Sequence, residues 1–191
     1  MKLGREFYTR EDVVLIAKEL LGKILFTKLS GKITAGIITE TEAYAGVNDK
    51  ASHAYGGRRT QRTEIMYSEG GTAYVYLCYG IHHLFNVVTN QKDIPHAVLI
   101  RAIKPFDGTR LILKRRKKEV LDSRICGGPG IVAQGLGIRT SHTGETLLGN
   151  KIWIEERGIK ISNQDITKSP RIGVDYAGAD ALLPYRFVAK L

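Results

Sequence analysis

TAYVYLCYGIHHLFNVVTN, residues 72–90, is the stretch that decides the fold. Its first half alternates tyrosines with smaller apolar residues, the two-residue period of a β-strand. A second apolar run, HLFNVVTN (83–90), follows the Tyr79-Gly80 pair, so the whole reads as a β-hairpin with its tip near Gly80. Tyr74 and Tyr76 then point to one side of the sheet, which ordinary packing explains as readily as function does. Tyr79 is different, because a large aromatic beside a glycine at a tip has no easy place in its own sheet. Such a residue can wedge between base pairs in a minor groove, or fold back onto the surface. With a turn around Gly80-Ile81, Tyr76 and Asn86 fall nearly opposite each other and can line one pocket.

The same reading extends outward. Upstream, KILFTKLS (23–30) and ITAGIITETEA (33–43) are two strands joined at Ser30-Gly31-Lys32. Before them Thr9 is the expected N-cap of a helix with Val13, Ile16, Ala17, Leu20 and Leu21 at helical spacing, stopped by Gly22. Residues 48–66 are polar and glycine-rich, a long loop of the kind that often carries function. Downstream, HAVLIRAI (96–103) is a strand ended by Lys104-Pro105, and a helix is expected from Thr109 to Ser123. Gly127-Gly128-Pro129 punctuates before the helix GIVAQGLGI (130–138), and KIWIEERG (151–158) and RFVAK (186–190) are strands. Helices mixed with hairpin-connected strands predict an α+β fold, one domain over residues 1–191, not a doubly wound parallel sheet.

The chain has 29 Lys and Arg against 19 Asp and Glu, a formal charge of +10 and a pI near 9.6. That sign favours a polyanionic partner: nucleic acid first, with anionic membranes and ribosomes as alternatives. The N-terminal MKLGREFYTRED has no apolar signal region, and no apolar run approaches transmembrane length. Cys78 and Cys126 have no metal or redox spacing, and Cys78 reads as a buried thiol. The expectation is an intracellular soluble protein.

Several residues can carry chemistry. Glu40 and Glu42 share one face of their strand, a pattern that is commonly just a solvated surface. Glu42, however, is read at the point where the strand of residues 36–41 gives way to a loop. A carboxylate presented there can activate water or stabilise a positively charged sugar in a transition state. His53, in the long loop, can stack on a base or donate a hydrogen bond, though a loop histidine is often a bystander. His53, His82, His83 and His96 do not have the spacing of a metal site, and no cofactor is implied. Arg110 and the run Lys114–Lys118 are candidate phosphate contacts or a solvated helix face, and Pro129 starts a helix whose free N–H groups can seat a phosphate.

At these residues the chain resembles the alkyladenine (3-methyladenine) DNA glycosylases of the mammalian type. The resemblance is carried by ETEAYAG (40–46), SHAYGGR-x-T-x-R (52–62), GTAYVYLCYG (71–80), Asn86, VLIRA (98–102), CGGP (126–129) and RIGVDYAG (171–178). These pieces are collinear over roughly residues 3–188. The fold it implies is a curved, mainly antiparallel sheet flanked by helices, with a protruding hairpin. The activity implied is removal of alkylated or deaminated purines from double-stranded DNA by a monomeric, metal-free enzyme, cytoplasmic in a prokaryote and nuclear in a eukaryote.

The resemblance also assigns roles. Glu42 is the general base for a water attacking C1′ of a flipped nucleotide, with Arg101 and the backbone carbonyl of Ile172 holding that water. Tyr44, His53 and Tyr76 sandwich the flipped base, Asn86 excludes guanine by a clash with its exocyclic amino group, and Tyr79 fills the gap in the duplex. Arg58, Thr60 and Arg62, with Arg110 and Lys114, are the expected DNA-backbone contacts. No lysine takes a matching pocket position, which implies a monofunctional hydrolase. Gln61 stands where proline is expected, and His82 and His83 replace bulky apolar residues beyond the tip. The short N-terminus suggests a compact prokaryotic form. The competing readings are a catalytically silent nucleic-acid-binding module and a metal-dependent nuclease.

Overall fold

The computed structural model describes residues 1–122 and 125–190. Its spine is a pair of long antiparallel strands, β2 (Lys32–Tyr44) and β5 (His96–Asp107). The β2 strand is long enough to take two partners along one edge. Its first half pairs with β1 (Ile24–Leu29), and Glu40–Glu42 pair with β8 (Arg186–Ala189). Beyond these lie β6 (Ile152–Glu155) on β1 and β7 (Ile166–Ser169) on β8. On the other side β5 pairs with β4 (His82–Thr89), and β4 with β3 (Thr72–Cys78). All these ladders are antiparallel. Register shifts between β2 and β5 at Ala35/Gly36, Ile38/Glu40 and Glu40/Thr41 bend the spine, and the sheet curls into a half-barrel.

Period-2 alternation gives the sheet two different faces. Val75, Phe85, Val87, Val98 and Ile100 cluster in the main core with Ile16 and Leu20 from the N-terminal helical region and Val132 and Leu136 from a later helix. The residues between them, Tyr74, Tyr76, Leu84, Asn86, Leu99 and Arg101, line a cavity on the opposite face. The sheet, with these helices packed against one face, makes the fold α+β, as helices mixed with hairpin-connected strands predict.

Local differences from the sequence reading have physical causes. The first helix is split into α1 (Arg5–Tyr8) and α2 (Val13–Glu19). Asp12, not Thr9, is the N-cap of α2: its carboxylate accepts the Leu15 N–H at 2.9 Å, and Thr9 instead closes α1. Strand β5 does not stop at Lys104-Pro105. Pro105 is opposite Gly36, beside the Ala35/Gly36 register shift, where a missing N–H is tolerated. Glu42 is inside β2, which runs on to Tyr44, and not at the strand's end. Helix α3 (Thr109–Arg116) is shorter than expected because Lys117 takes a left-handed conformation at φ +53°; the expected end at Ser123 lies outside the described residues. Helix α4 (Pro129–Leu136) begins on its proline, whose lacking N–H costs nothing at a first helical position. Strand β7 is too short and polar for its pattern to stand out.

Candidate active site

The cavity on the open face of the sheet has a volume of about 470 Å³, within the range of small-molecule sites. Residues 48–66 cover one side as a chain of single 3-10 turns, and the segment 172–176 covers another. At its floor is Glu42, 0% exposed, behind the lining residues Tyr44, Arg101 and Ile172. Each of those three donates to it. The Ile172 N–H reaches Oε1 at 2.8 Å, the Tyr44 hydroxyl reaches Oε2 at 2.8 Å, and Arg101 Nη1 reaches Oε2 at 3.3 Å. Oε2 thus takes two donors and Oε1 one, which leaves Oε1 with acceptor capacity.

Arg101 also donates to Glu40 at 2.9 Å, and Arg186 joins the same Glu40 oxygen at 2.6 Å. The acidic pair read from the sequence is therefore bound to a matching pair of arginines and is no solvated face. Burial works against the Arg101 charge, but Glu42 and Glu40 outweigh it and its pKa ends above the ordinary value. Burial raises the Tyr44 pKa well above the usual phenol, and Glu42 beside it adds to the shift, so Tyr44 is a hydrogen donor at neutral pH.

The wall opposite is aromatic. His53 is edge-on to Tyr76, ring centres 4.7 Å apart at 74°, and its Nδ1 is 2.8 Å from the Tyr74 hydroxyl. Tyr74 and Tyr76 tilt against each other at 5.4 Å. Burial, helped by Arg62 and Arg58, lowers the His53 pKa to about 4, so the imidazole is neutral in the physiological range. The Arg62 guanidinium sits 4.9 Å from the Tyr76 ring centre. Asn86 is buried, and its amide donates to the carbonyls of Tyr74 and Leu84 at 3.2 and 3.3 Å, which fixes the side chain at the cavity wall.

The hairpin pairing differs from the expected Tyr76–Asn86 pair by two residues. Tyr76 is opposite Leu84, and Asn86 is opposite Tyr74, because the strands are joined by the three residues Tyr79-Gly80-Ile81, closed by Ile81 N–H to the Cys78 carbonyl at 3.2 Å. A change of two residues in pairing preserves the face of every side chain, so Tyr76 and Asn86 still share the cavity as diagonal neighbours. At the tip Tyr79 is 91% exposed and holds φ +51°.

The expected backbone contacts fall into two groups. Arg62 lines the cavity, and Arg58 lines an adjoining notch with Lys50 and Ser52 beyond His53. Thr60 is exposed in the same loop and bonds with Thr63 to shape its turn. Arg110 lies beside Ile33, at the far end of β2 from Glu42. The nine steps along the strand from Ile33 to Glu42 span about 30 Å at ~3.3 Å each. Lys114 is exposed on the same helix α3, whereas its neighbours Arg115 and Arg116 turn inward to Gly135 and Ile125 carbonyls. Among the described residues no group of three or more His, Cys, Asp or Glu is placed to hold a metal ion, and no helix is long and apolar enough to cross a membrane.

Sequence reasoning did not single out Arg171 and Asp49, which form a buried ion pair behind Tyr44. They are separated by 122 positions, and nothing local marks either as buried.

The site is thus a buried carboxylate at the floor of an aromatic slot on a curled antiparallel sheet, with an exposed aromatic at the hairpin tip. The methylpurine-DNA glycosylase family profile matches residues 6–191. The chain is 48% identical over 190 residues to a protein of Chlamydia felis, covering 99% of this chain and 96% of that one. It is 43% identical to a protein of Desulfitobacterium hafniense, covering 97% and 94%, and 43% identical to one of Clostridium acetobutylicum, covering 100% and 95%. All three carry the name "Putative 3-methyladenine DNA glycosylase". The chain belongs to the methylpurine-DNA glycosylase family, and it is a DNA N-glycosylase.

Proposed function

We propose that the protein flips alkylated or deaminated purines, 3-methyladenine among them, out of double-stranded DNA and hydrolyses their N-glycosidic bond in base excision repair. The observation that carries the reading is a fully buried Glu42, held by three donors, at the floor of an aromatic cavity. A water at the free acceptor position of Oε1 would give its proton to the carboxylate as its oxygen bonds C1′. The C1′–N bond breaks, and its electron pair leaves with the base. Ile172 is half-exposed and precedes Gly173 at φ +74°, so it is the cover that yields to admit the water.

Extruding a nucleotide costs a few kcal/mol, least for a damaged and badly stacked base. Stacking between Tyr44 and the His53–Tyr76 wall returns about 1–3 kcal/mol. A cationic methylpurine gains about 0.5–2 kcal/mol more on an aromatic face. To stack on Tyr76 it must displace the like-charged Arg62, which is then free for the DNA backbone along with Arg58 and Thr60. Arg110 and Lys114 serve a more distant stretch of duplex. Asn86, fixed by two backbone carbonyls, cannot swing away from an exocyclic amino group and so excludes guanine. Among the described residues no lysine lines the cavity, and the reading is of a monofunctional hydrolase. The enzyme would act as an intracellular monomer.

The test is base release from duplexes holding a single lesion. Glu42→Gln should lose release while lesion binding persists, and release at the wild-type rate would remove the general-base assignment.

A further inference from the structure

Beneath Tyr44, Arg171 and Asp49 form an ion pair shut from solvent, their side chains 0% and 2% exposed. Arg171 Nη1 donates to Asp49 Oδ2 at 2.5 Å and Nη2 to Oδ1 at 2.9 Å, the two-pronged geometry that only arginine offers a carboxylate. Nη1 also donates to the Ala43 carbonyl at 2.9 Å, and Nη2 to the Asp180 carbonyl at 3.0 Å. Asp49 in turn accepts the N–H groups of Ala45 and Ala51, each at 3.0 Å. The guanidinium carbon is 4.9 Å from the ring centre of Tyr44.

Each anchor adjoins a group that touches Glu42. Ala43 stands between Glu42 and Tyr44 in the chain, and Arg171 immediately precedes Ile172, whose N–H is bonded to Glu42. The ring under the guanidinium belongs to the tyrosine whose hydroxyl is the second donor. One buried cation therefore fixes the part of β2 carrying the carboxylate and the two elements that supply its donors. Stability alone does not call for this arrangement, because apolar residues of matching shape commonly hold a fold as well as a buried ion pair does. The pair even leaves the Arg171 Nε buried without a partner among the described residues.

We propose that Arg171 and Asp49 are positioning residues that set the orientation of Glu42 for catalysis, an inference that rests on Glu42 being the general base. The cation itself is walled off from the reacting atoms by Tyr44 and acts only through Glu42 and its donors.

The experiment measures single-turnover base release at saturating enzyme, and the dissociation constant, on the same lesion duplex. Arg171→Lys keeps the charge and loses the two-pronged contact. With folding verified by thermal melting above the assay temperature, the release rate should fall ten- to a hundredfold and the dissociation constant change less than threefold. In a Glu42→Gln background the same substitution should remove nothing further from the residual rate. A wild-type rate in Arg171→Lys, or an equal fractional loss in both backgrounds, overturns the proposal. If Arg171→Lys does not fold, the double variant Asp49→Asn with Arg171→Gln replaces the ion pair by neutral amides and is read the same way. Activity of Glu42→Gln alone at the wild-type rate would instead refute the general base, a separate outcome.

Discussion

Glu42 and Tyr79 belong to one sheet and are treated in opposite ways by it. Glu42 is closed from solvent and held by a backbone N–H, a phenol and a guanidinium. Tyr79 is 91% exposed, at a backbone angle that side chains other than glycine and asparagine seldom adopt. The floor is over-determined and the tip spends free energy with nothing packed against it. A preorganised group acts on the reacting bond, whereas a strained exposed one gains only when a partner arrives. Floor variants should therefore change rate, and tip variants affinity. The largest expected effect is on the floor side. Losing a general base costs about 10²- to 10⁴-fold in rate, so single-turnover release by Glu42→Gln should drop by that order with the lesion-duplex dissociation constant held. A parallel loss of affinity would break the contrast between floor and tip.

The wall belongs with the floor, and pH separates it from the tip. Burial lowers the His53 pKa from 6.5 to about 4, so the unfolded chain binds a proton there at higher pH than the folded one. The stability at stake is complete above pH ~6.5 and is lost as pH falls toward about 4, a swing of roughly 3 kcal/mol at 1.36 kcal/mol per pKa unit. Urea unfolding of wild type and His53→Gln from pH 7 to pH 4 measures it. The variant should lack this component of the slope. Identical slopes in the two proteins would place His53 in solvent and remove it from the buried wall.

How far the sequence could show all this follows from the range of each interaction. The hairpin was legible because period 2 and a Tyr-Gly tip are local, and even its misplaced pairing cost nothing, since a two-residue shift keeps each side chain on its face. Tyr74, Tyr76 and Asn86 thus reached the cavity together from pattern alone. Helix ends were less legible: Thr9 and Asp12 are both good caps, and their choice depends on where α1 stops. The end of α3 depends on Lys117 turning left-handed, which its residue type does not announce. Least legible was the support of Glu42. Arg186, Ile172 and the Asp49–Arg171 pair come from chain segments more than a hundred positions apart, joined only by the closing of the sheet. Resemblance supplied Arg101 and Ile172, the latter through its carbonyl on the water; the Ile172 N–H on Glu42 is a further contact.

At the tip, Tyr79→Ala should weaken binding to a lesion duplex by about 1–3 kcal/mol, the scale of one aromatic stacked on bases. Single-turnover release at saturating enzyme should stay within a few-fold of wild type, because nothing at the floor is touched. Fluorescence anisotropy with a labelled duplex gives the first quantity and quenched-flow release the second. An unchanged dissociation constant would count against the wedge, and a large loss of rate at saturation would mean that tip and floor are coupled.

The smallest effect is the most direct probe of the strain. A non-glycine residue held in the left-handed region costs about 1–2 kcal/mol, and glycine relieves it while adding about 0.4–1 kcal/mol of unfolded-state entropy to be lost on folding. With the Tyr79 ring almost wholly in solvent, Tyr79→Gly should leave stability unchanged or raise it by up to about 1 kcal/mol. Tyr79→Ala keeps the strained angle and should give no such gain. Urea unfolding of the three proteins decides the matter. A clear loss of stability in Tyr79→Gly would show that the ring is held by the free protein; a gain, together with weaker lesion binding, would mean that the tip is kept strained for DNA.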